Sequence, residues 1–351
     1  MNEERIYLPV SEAAAPLYLG IHFGSFNLKI GVIDSEGHTV SYFATPHNTA
    51  ECGPDGAARN IAAAVRETLE KTGIGVKDIT AAGISFPGSL DPRTEKLHRP
   101  PNFPDWLGYP LPAKLMEYTG LQSVLFCNNA NAAAYGEFWI GAARDSQSVC
   151  LVLLDDGIGC GTIVEGREIK GANGFGGEFG HIIIDPSPGA RWCNCLQQGH
   201  LEAYASATAV ARRTREMLEV GLSTSLQDRI DKDTPLADIP KLVFDEADRG
   251  DALAMQIVLD TARFLGLGIV SLLHTLDPEC VLLGGEMTFG IRHSGTGEMF
   301  LKRVREEIDQ RALKDLTENL KLGFAKLGAN AGFVGAAGLA REEALLLTVV
   351  E

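Results

Sequence analysis

Four side chains that commonly bind metal ions lie close together in the sequence: His181, Cys193, Cys195 and His200. Two thiolates and two imidazoles are ordinary ligands of tetrahedral zinc. A set of four protein ligands leaves no coordination position for a reacting water, so such a zinc would be structural. The alternative is a pair of buried thiols beside two unrelated histidines. The pattern predicts a structural zinc site that fixes the loop carrying Glu202 and orients His181.

Size and composition favour a soluble protein with two domains. The chain has 351 residues, of which 45% are apolar and 22% charged, which is typical of globular proteins. The largely uncharged stretch 264–277 is shorter than the ~18 to 20 residues that a bilayer span needs. The N-terminus lacks the basic and apolar regions of a secretory signal. Seven cysteines, an odd number, do not suggest a disulfide framework. We expect a cytoplasmic protein without a membrane segment.

The charge of the chain bears on nucleic-acid binding. The formal net charge is -15 and the pI is near 5.0. Proteins bind the DNA phosphate backbone mainly through Lys and Arg, and no basic stripe is evident here. We therefore do not expect direct DNA binding.

Apolar periodicity indicates the elements that position these residues. Three short segments near the N-terminus predict a strand meander: 17–21, 27–34 and 39–43. Ile61, Val65 and Leu69 have helical spacing within 55–72. A helix over 130–141 precedes a second strand set, 147–154 and 159–164. Strands followed by helices, twice over, predict a bilobed α/β protein.

Several glycine-rich and asparagine-rich segments occur in a defined order: 83–88, 101–106, 126–137, 176–181, 193–195 with Glu202, 276–285 and 335–337. In this order they resemble the motifs of the ROK family of sugar kinases and repressors, over residues 18–340. The resemblance implies an actin-like (ribonuclease H-like) α/β fold with the ligand in a cleft between two domains. It implies an N-terminal extension 1–16, a first lobe 17–128 completed by 332–351, and a second lobe 129–331 that holds the zinc motif.

Asn129 stands where the resemblance implies the catalytic acid. The segment 126–137 is similar to the family pattern Glu-Asn-Asp-Ala-Asn-x-Ala-Ala-x-Gly-Glu, whose Asp takes a proton from a sugar hydroxyl. A carboxamide can hydrogen-bond that hydroxyl but cannot accept its proton. We therefore expect a chain that resembles a sugar kinase and does not phosphorylate sugar.

The phosphate loops depart from the family pattern in the same direction. The first loop, similar to Asp-x-Gly-Gly-Thr, has His22 for the magnesium-side Asp and Phe26 for the Thr. The second, similar to Gly-Thr-Gly-x-Gly, begins with Asp155 and Asp156. Repulsion between each carboxylate and a phosphate charge would cost about 4 kcal/mol at ~4 Å and an effective dielectric of 20. The full set of degenerate nucleotide positions is His22, Gly24, Ser25, Phe26, Asp155, Asp156, Gly157, Gly284 and Gly285. We therefore do not expect Mg-ATP to bind as a cofactor.

The positions that the resemblance assigns to sugar contacts are better preserved. They are Gly88, Asn102, Asn128, Asn129, Glu178, His181 and Glu202. Fixed carboxylates and amides suit sugar hydroxyls because each accepts or donates in a defined direction. Trp106 could add an apolar face for the ring. The alternative is that Asn102 caps a turn and that Glu178 and Glu202 are solvated acids.

The family zinc is held by one His and three Cys, and His200 replaces the last Cys, which keeps four ligands.

Three hypotheses remain open. The first is a sugar-binding pseudokinase or regulator for a hexose or N-acetylhexosamine, forming a dimer and acting through a protein partner. The second is an ATP-dependent hexose or N-acetylhexosamine kinase acting on the sugar 6-hydroxyl. The third is new chemistry with His22, Asp155 and Asp156 as acid-base groups.

The family's repressors carry a DNA-binding domain ahead of the sugar domain, and only about 16 residues precede the first strand here.

Overall fold

The computed structural model describes residues 7–24, 27–47, 49–98, 100, 103–289 and 294–350. Its strands are β1 (Leu17–Phe23), β2 (Asn27–Ile33), β3 (Thr39–Pro46), β4 (Ile79–Phe86), β5 (Ser89–Asp91), β6 (Lys96–His98), β7 (Val124–Asn128), β8 (Val149–Leu154), β9 (Ile158–Val164), β10 (Arg167–Glu168), β11 (Cys280–Gly284) and β12 (Lys321–Phe324). Its α-helices are α1 (Thr49–Thr72), α2 (Leu111–Thr119), α3 (Asn129–Trp139), α4 (Glu202–Ala205), α5 (Ala207–Glu219), α6 (Ile239–Asp248), α7 (Ala252–Leu276), α8 (Glu286–Phe289), α9 (Gly295–Arg311), α10 (Lys314–Thr317) and α11 (Ala331–Val350).

The chain forms two compact units. Unit 1 consists of Met1–Asp145, Glu168–Gly176 and Ala329–Glu351, and unit 2 consists of Ser146–Arg167 and Gly177–Gly328. The C-terminal helix α11 therefore belongs to the same unit as the N-terminal strands.

The sheet of unit 1 has the strand order β3-β2-β1-β4-β7. β1, β2 and β3 are antiparallel neighbours, whereas β4 pairs in parallel with both β1 and β7. Helices α1 and α11 both pack against this sheet. Because helices cover it, the central strands are nearly continuous apolar runs, with Leu19, Ile21, Ile30 and Ile84 fully buried.

Glycines let α11 approach its neighbours closely. A Cβ at Gly83 of β4 would lie 2.0 Å from the Ala336 carbonyl oxygen, and one at Gly335 would lie 1.5 Å from the Ala132 carbonyl oxygen of α3. No side chain fits at such distances. These glycines therefore allow α11 to pack directly on the sheet and on α3, the helix that begins with Asn129.

Unit 2 repeats the sheet pattern with the strand order β9-β8-β11-β12, and the short β10 lies at the β9 edge where the chain leaves the unit. β8 and β9 are antiparallel, whereas β11 is parallel to both β8 and β12. The polar turns after β8 and β11 lie side by side because these two strands run in the same direction.

Helix α7 is the central helix of unit 2. It is long and apolar enough to cross a membrane, but 56% of its most apolar window is buried inside the protein. Leu265, Ile269 and Leu273 are within 1% of complete burial and α7 packs against α6 and α9. These contacts are those of a core helix.

Candidate functional site

The four residues predicted to bind metal come together in unit 2. The ligand atoms of His181, Cys193, Cys195 and His200 all lie within 4.8 Å of one another. The Nδ1 atoms of the two histidines are 3.3 Å apart. Cys195 Sγ is 3.2 Å from His200 Nδ1 and Cys193 Sγ is 3.7 Å from His181 Nδ1. Tetrahedral zinc with bonds of 2.0 to 2.3 Å separates its ligands by roughly 3.3 to 3.8 Å. The arrangement therefore fits a four-coordinate zinc ion.

The His181 ring has a different neighbour at each nitrogen. Its Nδ1 faces the metal-binding cluster, and its Nε2 lies 3.8 Å from Glu178 Oε2. Metal-ligating histidines usually present the second nitrogen to a carboxylate or another polar group. Burial raises the pKa of Glu178, and the charge of Glu202 adds to this effect while His181 opposes it. Thus Glu178 and His181 form one polar group next to the cluster.

Glu202 links the metal cluster to the turn between β8 and β9. Its Oε1 is 3.3 Å from Cys193 Sγ, and its Oε2 accepts a hydrogen bond of 3.0 Å from the backbone N–H of Ile158. A Cβ at Gly157 would lie 2.4 Å from Glu202 Oε2. Zinc would remove the proton from Cys193, so the Ile158 N–H would then be the main anchor of this carboxylate.

Asp155 connects the turns that follow β8 and β11. Its Oδ1 accepts a hydrogen bond of 2.5 Å from the Glu286 backbone N–H. Gly285 has φ +93°, and a Cβ there would lie 2.5 Å from the Leu154 carbonyl oxygen, so this turn needs glycine. The pKa of Asp155 is raised from 3.8 to about 6: burial is the main cause, the Glu286 hydrogen bond opposes it, and the charges of Glu286 and Asp156 add to it.

We expect the raised pKa of Asp155 to make stability fall as pH rises. The folded protein binds this proton more tightly than the unfolded chain, so the proton stabilises the fold at about pH 4 and is lost as pH passes through about 6. Asp155→Asn keeps an acceptor for the Glu286 N–H and removes the charge. We expect it to raise the free energy of unfolding at pH 7.5 by about 2 kcal/mol and to flatten the pH dependence.

Asp156→Asn is the matched control, because Asp156 is exposed, and we expect a change within about 0.5 kcal/mol. Urea unfolding at pH 4.5 and 7.5 measures both variants. If Asp155→Asn is no more stable than the unmodified protein at pH 7.5, the charge of Asp155 is not a cost to the fold.

In unit 1, Asn128 places the start of α3. Its Oδ1 accepts a hydrogen bond of 2.8 Å from the Ala130 N–H as the N-cap of the helix. Its Nδ2 donates 2.9 Å to the Gly88 carbonyl oxygen. One amide thus joins the turn at Gly88, where φ is +91°, to the helix that begins with Asn129.

The Asn129 carboxamide is only partly satisfied. Its Nδ2 is 3.4 Å from the Phe23 carbonyl oxygen, and its Oδ1 is buried without a hydrogen-bond partner among the described residues. A buried acceptor without a donor is costly. Asn129 therefore has an unpaired acceptor, and an amide in place of the carboxylate that could remove a proton.

His22 is held as a neutral ring. Its Nδ1 lies 2.7 Å from Ser85 Oγ. The pKa of His22 is lowered from 6.5 to about 3, mainly by burial and also by the charges of Lys29 and His47. A Cβ at Gly332 would lie 2.3 Å from the ring, so the imidazole packs against the first turn of α11. A neutral imidazole supplies none of the negative charge that a hard magnesium ion prefers.

The remaining predicted residues divide into two groups. Asn102, Ser25 and Phe26 lie outside the described residues.

Trp106 is described, and the expectation that its face is open to a sugar ring is wrong. It is 2% exposed and packs against Phe23 and Phe86 at ring-centroid distances of 5.6 and 4.7 Å. An aromatic side chain has a large apolar area, and in Trp106 this area is buried in the core of unit 1.

Two partners of the predicted residues lie far from them in the sequence. Ser85 binds His22 from 63 residues away, and the Glu286 amide binds Asp155 from 131 residues away. A serine inside an apolar strand was a weak signal for the first contact. A backbone amide leaves no signal in the sequence for the second.

Comparison with known proteins identifies the same family as the motifs. A model of the ROK family matches residues 18–343. A glucokinase from Halalkalibacterium halodurans is 32% identical over 326 residues, which are 93% of this chain and 95% of that protein. A xylose repressor from Caldicellulosiruptor bescii is 28% identical over 273 residues, which are 77% of this chain and 65% of the repressor. The crystal structure of a ROK hexokinase from Thermus thermophilus matches with a TM-score of 0.77 at 30% identity, over 93% of this chain and 98% of that one.

These matches confirm the predicted fold and the predicted kinship. The matches to the kinases cover 93% of this chain. The match to the repressor covers 77% of this chain and 65% of the repressor. The two sheets, each with an antiparallel hairpin beside parallel strands, are the α/β architecture that these sugar kinases share. The chain therefore belongs to the ROK family and has its actin-like fold.

Proposed function

We propose that this chain binds a hexose or N-acetylhexosamine and does not phosphorylate it, acting as a cytoplasmic sugar sensor or regulator. The observation that carries the proposal is Asn129. Its buried Oδ1 has no partner in the part of the chain that the structure describes. An amide oxygen can accept a hydrogen bond from a sugar hydroxyl, but an amide cannot serve as the general base.

The proposed sugar contacts are those that the family motifs assign. They are the Gly88 backbone, Asn102, Asn128, Asn129, Glu178, His181 and Glu202. Acids and amides held by other protein groups have defined donor and acceptor directions. Such groups reject a ligand that leaves them unpaired.

The phosphate positions support the absence of phosphoryl transfer. Phosphoryl transfer depends on donors and magnesium that neutralise the charge of the phosphates. The β8–β9 turn instead has two carboxylates, and His22 is a neutral ring tied to Ser85. Charge repulsion near Asp155 and Asp156 would oppose a nucleotide rather than hold it.

We propose zinc as the ion of the cluster, in a structural role. All four coordination positions would be filled by His181, Cys193, Cys195 and His200. The chain's own residues then keep Glu202 and His181 in place, through the Ile158 N–H and Glu178 respectively.

Regulation would proceed through contact with another protein. An acidic chain binds the DNA phosphate backbone poorly. We therefore propose a homodimer that acts through a protein partner. The xylose repressor among its relatives favours a regulatory role for the sugar-binding fold.

The second candidate is an ATP-dependent sugar kinase. The glucokinase that matches 93% of the chain favours it. This alternative requires another group to replace the missing base, and loss of a general base typically costs ~10² to 10⁴ in rate.

Sugar titration of two variants tests the binding proposal. Calorimetry should show one hexose or N-acetylhexosamine bound per chain. Glu202→Ala and Asn129→Ala should each weaken that affinity by at least about tenfold, because each removes a hydrogen bond to a hydroxyl. Glu219→Ala, an exposed acid of the same unit as Glu202, is the control and should bind normally. If no sugar of a broad panel binds, or if both variants bind as the control does, the proposed site is wrong.

A further inference from the structure

The structure buries the aromatic side chain of the predicted sugar loop and exposes a different one. Trp106 is 2% exposed, whereas Phe175 is 41% exposed. Phe175 belongs to the segment Glu168–Gly176, which the chain contributes to unit 1. Ligand sites are lined by aromatic side chains together with a few fixed polar groups. The contacts of this segment decide whether the Phe175 ring lies beside such groups.

A buried carboxylate anchors the start of this segment to α3. The Glu168 side chain is 6% exposed, and its Oε1 accepts a hydrogen bond of 2.8 Å from Asn131 Nδ2. Lys170 Nζ lies 3.5 Å from Glu168 Oε2 and offsets part of its charge. A buried acid is costly unless partners of this kind satisfy it. The segment is therefore fixed beside the first turn of α3, the turn that also contains Asn129.

The other end of the segment packs on the start of β5. A Cβ at Gly174, where φ is +77°, would lie 3.3 Å from Ser89 Cβ, so this close approach favours glycine. Ser89 directly follows Gly88, whose carbonyl oxygen accepts the hydrogen bond from Asn128 Nδ2. Phe175 is the next residue after Gly174. Its backbone therefore lies close to Gly88 and Asn128, two of the proposed sugar contacts, within the same unit.

The ring of Phe175 contacts His98 of β6, the strand that pairs with β5. The two ring centroids are 5.6 Å apart at an interplanar angle of 80°. A T-shaped contact of this kind can occupy only one face of a ring, so the other face of Phe175 stays outside it. The loop is closed by a hydrogen bond of 2.8 Å from the Gly176 N–H to the Lys170 carbonyl oxygen. Phe175 thus combines a fixed backbone with an exposed aromatic surface.

We propose that Phe175 stacks on the apolar face of the bound sugar, the contact that the buried Trp106 cannot make. A pyranose carries C–H groups on its faces and most of its hydroxyls around its rim. The C–H face suits an aromatic ring, and the rim hydroxyls remain available to the polar contacts of the site. A sugar that turns an axial hydroxyl onto this face would bury it without a partner and bind more weakly. This inference rests on the proposed function, and it makes Phe175 a specificity-determining residue.

Calorimetric titration of the full chain with glucose, mannose, N-acetylglucosamine and N-acetylmannosamine tests the contact, and the variants are compared with the sugar that binds most tightly. We expect Phe175→Ala to weaken its affinity at least about fivefold and Phe175→Tyr, which keeps the ring, to bind within about twofold of the unmodified protein. Leu346→Ala removes an exposed apolar side chain elsewhere in unit 1 and should bind normally. A purely structural role for Phe175 would lower the melting temperature of Phe175→Ala and leave its sugar affinity unchanged.

Fluorescence reports the contact directly. In Phe175→Trp, the emission should shift to shorter wavelength as the sugar displaces water from the indole, whereas Leu346→Trp should show no shift. Sugar binding that Glu202→Ala weakens and Phe175→Ala leaves unchanged would overturn the role of Phe175 alone, as would a Phe175→Trp emission that does not respond to saturating sugar. If none of the four sugars binds to the unmodified protein, the proposed function and this inference fall together.

Discussion

Cys193→Ser is expected to release zinc and to lower the free energy of unfolding of unit 2 by at least about 3 kcal/mol, because the binding energy of a structural zinc is part of the folding energy. The segment from His181 to His200 has little regular structure of its own. It is held by two isolated β-bridges, Ile183 with His200 and Trp192 with Gln198. The metal would add a four-ligand cross-link to this segment, and through it to Glu202.

Metal analysis of protein purified without chelator checks this prediction, and thermal unfolding measures the loss of stability. Cys52→Ser is the control, since Cys52 is an exposed thiol of unit 1, and its zinc content should be unchanged. Removal of zinc from the unmodified protein with a chelator should reproduce the effect of Cys193→Ser. Absence of stoichiometric zinc, or an unchanged melting temperature in Cys193→Ser, would contradict the assignment.

The second large effect concerns restoration of kinase activity. We expect that Asn129→Asp alone does not restore sugar-dependent ATP consumption, although it returns the base that the family pattern contains. Asp155 and Asp156 would still repel phosphate, His22 would still lack a charge for magnesium, and Phe26 would still supply no hydrogen-bond donor. Each of these defects lies outside the base itself.

Recovery should need the phosphate loops as well. The combined variant His22→Asp, Phe26→Thr, Asp155→Gly, Asp156→Thr and Asn129→Asp should form phosphorylated sugar at a rate at least about 100-fold above that of the single revertant. The same set without Asn129→Asp is the control for the base. Turnover by Asn129→Asp alone would show that the present loops still bind nucleotide.

Local pattern predicted much of the fold. The strand meander is present as β1 to β3, and the helix expected over 130–141 is α3, Asn129–Trp139. The helix expected over 55–72 is the main part of α1. Gly53, with φ +62° and ψ 179°, is not helical and separates this helix from a short helical segment that begins at Thr49.

The metal cluster shows what sequence can reveal of a site. Its four residues carry ligand chemistry in their own side chains, and the spacing placed them in one loop. The ring contact of Trp106 and the Glu286 amide on Asp155 depend instead on partners brought close only by folding. A sequence gives the inventory of donors and acceptors but not their pairing.

The central claim is that the chain binds sugar without phosphorylating it. One experiment on the unmodified protein tests both parts: calorimetric titration of hexoses and N-acetylhexosamines with and without Mg-ATP, followed by analysis of the same samples for phosphorylated sugar. We expect saturable binding of one sugar, an affinity that Mg-ATP does not change, and no phosphorylated product. Robust formation of a sugar phosphate would falsify the account and establish the chain as a working sugar kinase.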